Sequence, residues 1–132
     1  PENFGEPVRL RFYSGSLFSS ADYIQAQRAR SRAKKEFAEV FEQVDVIACP
    51  TSLNVASSLS ELDPLGTLRA PSFTAPFNQT GMPAISIPCG FSQSGLPIGF
   101  QIAGRPFAES TVIQVAYTYQ QHAKWFQQRP VL

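Results

Sequence analysis

A single histidine, His122, and two cysteines, Cys49 and Cys89, are all that this 132-residue chain offers to several common site chemistries. The cysteines lie far apart and make neither a zinc-finger spacing nor a disulfide framework, so no metal is expected. No cofactor motif is present, and two isolated thiols fit a reducing, cytoplasmic setting. No apolar run approaches the roughly 18 residues that a membrane-crossing helix needs. The opening "PENFGEPVRL" has no apolar signal-peptide core. A net charge of +1 sets up no field of one sign. Neither nucleic acid nor an anionic membrane is therefore expected as a partner. Met82 is the one methionine and the chain does not open on it, which fits a trimmed terminus or a piece of something longer.

An apolar content of 43% is ordinary, and the length suits one compact domain over residues 1–132 with a core of its own. Residues 1–18 show no period and read as irregular or weakly extended. "SSADYIQAQRARSRAKKEFAEVFEQV" then predicts a long helix. Ser19 and Asp22 make a capping box. Ala26, Ala29, Ala33, Phe37, Val40, Phe41 and Val44 recur at helical spacing. "VDVIACP" (Val44–Pro50) is β-branched, apolar and stopped by proline, and predicts a buried strand. Thr51–Phe77 has no period and reads as one long loop. Thr80–Pro106 predicts a β-hairpin, with strands Ala84–Phe91 and Pro97–Ala103 around a Ser92–Gly95 tip. Its punctuation is heavy. Pro88 and Gly90 predict a bulge or an edge, and Gly99 and Gly104 a close backbone approach. "AESTVIQVAYTYQQHAKWFQQ" predicts a second helix, with Val112, Ile113, Ala116, Tyr119, Ala123 and Phe126 on its apolar stripe. The fold class is thus α/β: helices packed on a small mixed sheet that contains a β-hairpin.

Catalytic constellations are scarce. A Ser–His–Asp triad would have to use His122, and no G-x-S-x-G elbow presents a serine. His122 reads better as a surface or packing residue. "SGSLFSS" (Ser14–Ser20) lacks the spacing of a phosphate loop and reads as a turn into a helix cap. Arg28–Lys35 is basic. Consecutive helical positions point in different directions, however, and Lys35–Glu39 offers an i,i+4 pair, so a solvated face is favoured. Arg30 stands apart, because an arginine at a cleft edge can hold a carboxylate through two parallel hydrogen bonds.

Three blocks, "ADYIQAQRAR", "FEQVDVIACPT" and "FNQTGMPAISIPCGFSQSGLPIGFQIAGRPFAEST", resemble the C-terminal part of the amidase signature family in content, order and separation. The resemblance runs from about Arg9 to Pro130. It implies amide hydrolysis or transfer by a serine nucleophile, a second serine on a cis peptide and a lysine. All of these lie in an N-terminal region that has no counterpart here. Lys34, Lys35 and Lys124 match none of them, so no catalytic residue carries over and the chain alone is expected to be inactive.

The resemblance does imply substrate-binding positions. In glutamine-dependent members an arginine matching Arg30 holds the substrate carboxylate. Asn78, Thr80 and Gly81 match a loop beside the cleft. Gln93 stands at the hairpin tip, where those members carry an aspartate. The ligand implied is a small amide or carboxylate. Two functions compete: part of an amide hydrolase, or a non-catalytic binding or scaffold module anchored at Arg30. Apolar faces left uncovered point to a homo-oligomer or to the missing N-terminal segment as partner.

Overall fold

A computed structural model describes residues 3–61 and 71–129. Pro64, within the expected loop, and the terminal Pro130 lie outside the described residues. The element order is α1 (Glu6–Gly15), α2 (Ser20–Val40), β1 (Val46–Pro50), a 3-10 turn (Leu59–Glu61), α3 (Ala75–Thr80), β2 (Ala84–Phe91), β3 (Pro97–Gly104), α4 (Glu109–Ala123) and a closing 3-10 turn (Trp125–Gln127).

The sheet has three strands in the order β1-β3-β2. Both pairings with β3 are antiparallel, so among the described residues the sheet is antiparallel where the sequence predicts a mixed one. The physical reason is the position of β3. β1 and β2 do run in the same direction, but β3 lies between them and they never pair. β1 is consequently an edge strand, half-buried rather than buried.

Side-chain alternation along the strands feeds two cores. On one face Ile102 and Ile87 pack with Val112 and Ala116 of α4, flanked by Val46, Ile85 and Phe100. On the other, Ala103 packs with Phe41, Phe77 and Met82, flanked by Phe37, Ile47 and Cys49. Ile102 and Ala103 are both fully buried. Each such aliphatic side chain the size of Ile102 stabilises the fold by about 1.5–3 kcal/mol. The hairpin falls where its sequence places it. Its register shifts between Pro88 and Gly90, which leaves Cys89 as the bulged residue. Gly104 packs so closely on α4 that a Cβ there would lie 2.7 Å from Val112 Cγ2.

The Ser19 capping box forms as expected: the Asp22 N–H donates to Ser19 Oγ at 3.2 Å, and the Ser19 N–H donates to Asp22 Oδ2 at 2.9 Å. The Ser19 hydroxyl also donates to Asp22, and together these bonds hold the Asp22 carboxyl below its ordinary value of 3.8.

Four expectations need correcting. Residues 6–15, read as irregular, are helical, with Pro7 preset in the first turn. Periodicity detects packing, and every described side chain but one between Val8 and Tyr13 is exposed, so this helix carries no stripe. α2 stops at Val40 instead of Val44, because Phe41 turns inward as its cap and is 3% exposed. α3 begins inside the segment read as loop, with Pro76 in its first turn. The last helix stops at Ala123, where Lys124 takes a left-handed φ of 54°; of its expected stripe Phe126 lies beyond the helix and Ile113 within it, and both are exposed.

The accessible surface is 10359 Å². A compact monomer of 14.5 kDa would expose about 6,900 Å². Phe12, Tyr13, Leu17, Phe18, Tyr23 and Ile24, on α1, the turn after it and the start of α2, are all exposed. No residue within α2 is buried.

The Gly104 contact gives a direct test of the β3–α4 packing. Gly104→Ala is expected to cost about 1–3 kcal/mol through overpacking. Urea unfolding of the variant should show a lowered midpoint with an unchanged slope.

Candidate functional site

Three of the expected positions are set by one short helix and its exit. Pro76 starts α3, and Gly81 ends it in the left-handed conformation at φ 75°. A side chain would be strained at that angle. The N–H groups of Gly81 and Met82 both donate to the Phe77 carbonyl, at 2.9 and 3.0 Å. Thr80 is 2% exposed, and its hydroxyl donates to the Pro76 carbonyl at 2.6 Å. Thr80 therefore shapes the turn from within. Asn78 and Gly81 are exposed.

Arg30 reaches this turn from α2. Its Nε donates to the backbone carbonyl of Gln79, which lies between Asn78 and Thr80. Among the described residues its two terminal NH₂ groups have no hydrogen-bond partner. Gln27, Ser31 and Lys34 complete a shallow recess around it. Lys34 also borders an adjoining cavity of about 340 Å³. Phe41 and Met82 line its apolar interior, and Arg105 and Glu42 are its other charged residues. Three cations, Arg30, Lys34 and Arg105, thus stand beside an apolar hollow with one acid. That arrangement suits an anionic head group on an apolar body.

The structure brings Arg30, Asn78, Thr80 and Gly81 together. It does not bring Gln93 to them. Gln93 sits in the Ser92–Gly95 turn, closed by the Ser92 N–H donating to Leu96 O at 2.8 Å. β2 separates the two places, and eight residues at about 3.3 Å each span on the order of 25 Å.

The other residues weighed in the sequence fall on the surface or into packing. His122 is exposed and its Nδ1 lies 2.8 Å from the Thr118 carbonyl. Ser14 and Ser16 donate to carbonyls within their own turn, Arg11 O and Tyr13 O. On the basic face of α2 the ion pair among the described residues is Arg32–Glu36 at 2.8 Å, rather than Lys35–Glu39. Among the described residues no cluster of His, Cys, Asp and Glu could hold a metal.

A second hollow escaped sequence reasoning. It occupies about 710 Å³ at the other end of the sheet face that carries Ala103, next to Thr51, Phe73, Ser86 and Gly99. Opposite Ser86 in the ladder, Gln101 is 4% exposed and donates to Phe73 O at 3.1 Å and to Cys49 Sγ at 3.3 Å. The hairpin register could have placed Ser86 near Gly99. The β1–β3 register, which brings Thr51 there, leaves no local signal.

An antiparallel sheet between helices, with a basic recess against a glycine turn, makes this an α/β fold fragment. A family model described as Amidase matches residues 1–113. The chain is 41% identical to a glutamyl-tRNA(Gln) amidotransferase subunit of Thermosynechococcus vestitus, over 99% of its own length and 29% of that protein. The crystal structure of the corresponding subunit from Thermotoga maritima is 37% identical, with a TM-score of 0.69 over 93% of this chain and 29% of that one. A 6-aminohexanoate cyclic dimer hydrolase bound to its substrate is 27% identical, with a TM-score of 0.69 over 87% of this chain and 27% of that one. This chain belongs to the amidase signature family. It spans about 29% of the length of the curated relatives it matches.

The Arg30–Gln79 bond is testable without a ligand. Arg30→Ala is expected to make the Gly81 and Met82 amides exchange with solvent about three- to ten-fold faster, the scale of one net hydrogen bond. The amides of β3 should be unaffected. Unchanged exchange at Gly81, measured by NMR, would show that Arg30 does not brace the turn.

Proposed function

We propose that this chain supplies one wall of the amide-binding cleft of an amidase-signature enzyme. The observation that carries the proposal is the Arg30–Gln79 bond, which ties the one strategically placed arginine to the loop bearing Asn78, Thr80 and Gly81. In this role the free edge of the Arg30 guanidinium holds a ligand carboxylate, and the Gly81 turn brings backbone against the ligand. Gln93 acts, if at all, through another part of the assembled cleft. The family's serine nucleophile, cis-serine and lysine come from polypeptide beyond these residues, and C–N bond cleavage needs them. The name amidotransferase, carried by the Thermosynechococcus vestitus relative, fits this amide chemistry.

A second reading is a non-catalytic carboxylate-binding module. The cluster of Arg30, Lys34 and Arg105 around an apolar cavity favours it, since binding there needs no nucleophile. Both readings place the protein in the cytoplasm, where the thiols of Cys49 and Cys89 stay free. No helix among the described residues is long and apolar enough to cross a membrane.

Thermal shift with small amides and carboxylates tests the Arg30 site that both readings share, and turnover tests whether the chain acts alone. A ligand at ten times its Kd should stabilise the chain by about 1.4 kcal/mol, and Arg30→Ala should abolish the shift. No amide should be turned over by the chain alone. No stabilisation by any carboxylate or amide removes both readings, and turnover lost in a serine or His122 variant removes the need for outside residues.

The surplus surface bears on partners. We take the aromatic face of α1 and the start of α2 as an association surface, for a second copy or for the remaining family polypeptide. Size-exclusion chromatography with light scattering should find the isolated chain larger than a monomer at micromolar concentration. A stable monomer would exclude self-association.

A further inference from the structure

We propose that the turn after β3, with the cavity beside it, is a docking surface for a second copy of this chain, in which Phe107 of each copy enters the cavity of the other. Phe107 is 94% exposed, in a turn that the Ala108 N–H closes by donating to Arg105 O at 3.0 Å. Pro106 stands second in that turn, and Phe107 stands third with a φ of 65°. Proline second and a positive φ third is the type II pattern, whose third position ordinarily takes glycine. The left-handed region strains a side chain as bulky as phenylalanine. Within its own chain the ring gains no burial in return. Strain kept without packing points to a contact outside the chain.

The receiving cavity adjoins the ring. Phe107 borders it, and Phe41 and Met82, 3% and 8% exposed, line its apolar interior. A void of about 150 Å³ already takes a benzene ring, and this one holds about 340 Å³. A knob set beside a hole is self-complementary, because a two-fold axis between two copies seats both rings at once. The same operation carries Arg105 to the rim of the second copy's cavity, where Glu42 stands. Both residues are exposed, and among the described residues neither is in an ion pair within the chain.

Charge complementarity selects a second copy as the occupant. A small anion held by Lys34 and Arg105 leaves Glu42 unanswered and Phe107 in water, whereas a second copy answers both. Two rings bury about 150–250 Å² each, so the contact is of the small, reversible class. It shares no residue with the aromatic face of α1 and α2. It rests on neither functional reading, although a ligand in the same cavity competes with the ring.

The test is sedimentation velocity of the 132-residue chain from micromolar to millimolar concentration, where a reversible dimer is expected. Phe107→Asn should weaken the dimer at least about thirty-fold, the scale of a central aromatic anchor. Asparagine tolerates the left-handed region, so the urea midpoint of the monomeric variant should hold or rise, where loss of a merely structural phenylalanine would lower it. Arg105→Glu and Glu42→Arg should each weaken the dimer. An equimolar mixture of the two variants should recover it, because the mixed dimer has both ion pairs in opposite sign. A chain monomeric at every concentration, or a charge-swapped mixture no stronger than its parts, would overturn the proposal. So would a dimer that survives Phe107→Asn and is lost with Phe12→Ser and Phe18→Ser, which belongs to the α1–α2 face.

Discussion

Strand β3 is the constraint on which the rest of the structure depends. It is hydrogen-bonded on both sides, to β1 and to β2, and Gln101, Ile102, Ala103 and Gly104 are all buried. Alternation sends Ile102 into the α4 core and Ala103 into the α2–α3 core, so one strand holds two cores in register. A one-residue slip would exchange the two faces and put Gln101 among the side chains of α4. Gln101 resists such a slip, because its amide is satisfied only on the face where Cys49 and Phe73 O stand. The same strand is thinned to glycine at two places. At Gly104 the gap admits Val112, and at Gly99 it admits two hydroxyls.

The candidate site is suspended from this strand rather than built on it. Phe77 of α3 packs against Ala103 and Phe41, and its carbonyl takes both turn amides at Gly81 and Met82. The apolar contact thus sets where α3 lies, and the left-handed Gly81 sets how the chain leaves it. Arg30 reaches the turn from outside through a single bond to Gln79. That bond lies in solvent, where one hydrogen bond contributes only about 1 kcal/mol. The loop's position therefore rests mainly on Phe77, and the arginine's fine orientation on the bond. A guanidinium held by Nε keeps its other edge available, which is the geometry a bidentate carboxylate requires.

What could be read from the sequence follows from how local its cause is. The hairpin was legible because proline and glycine act within a few residues of themselves, and the shift between Pro88 and Gly90 falls where those residues predict it. The Ser19–Asp22 cap was legible for the same reason. α1 was not, because amphipathic spacing marks a helix only when a core lies against it, and α1 is almost wholly exposed. The order β1-β3-β2 was not, because the partner of β1 is chosen across a long connection. Of the site, Arg30 and the Gly81 loop were named through family resemblance, and the bond that joins them has no local signature. Gln93, also transferred by resemblance, lies a strand's length from the others.

The surplus surface and the ordered sheet are compatible because they draw on different parts of the chain. Stability comes from β3, α4, α3 and the end of α2, whose buried side chains form both cores. The excess of about 3,500 Å² over a compact monomer includes exposed side chains of α1 and the first half of α2, which enter neither core. An obligate interface buries about 2,000–5,000 Å² in total, or about 1,000–2,500 Å² on each partner, which the excess exceeds. A self-sufficient domain would have selected polar residues for a face of this size. Phe12, Phe18, Tyr23 and Ile24 instead leave an apolar face exposed, the composition of an interaction surface. The hollow at Thr51 and Ser86 differs in kind. Its walls are apolar, but its centre is a hydroxyl pair that Gly99 is shaped to admit. The hydroxyls of Thr51 and Ser86 bond each other, which leaves one O–H donor to spare. An apolar partner surface would bury that spare donor unsatisfied, at a cost of about 1–3 kcal/mol.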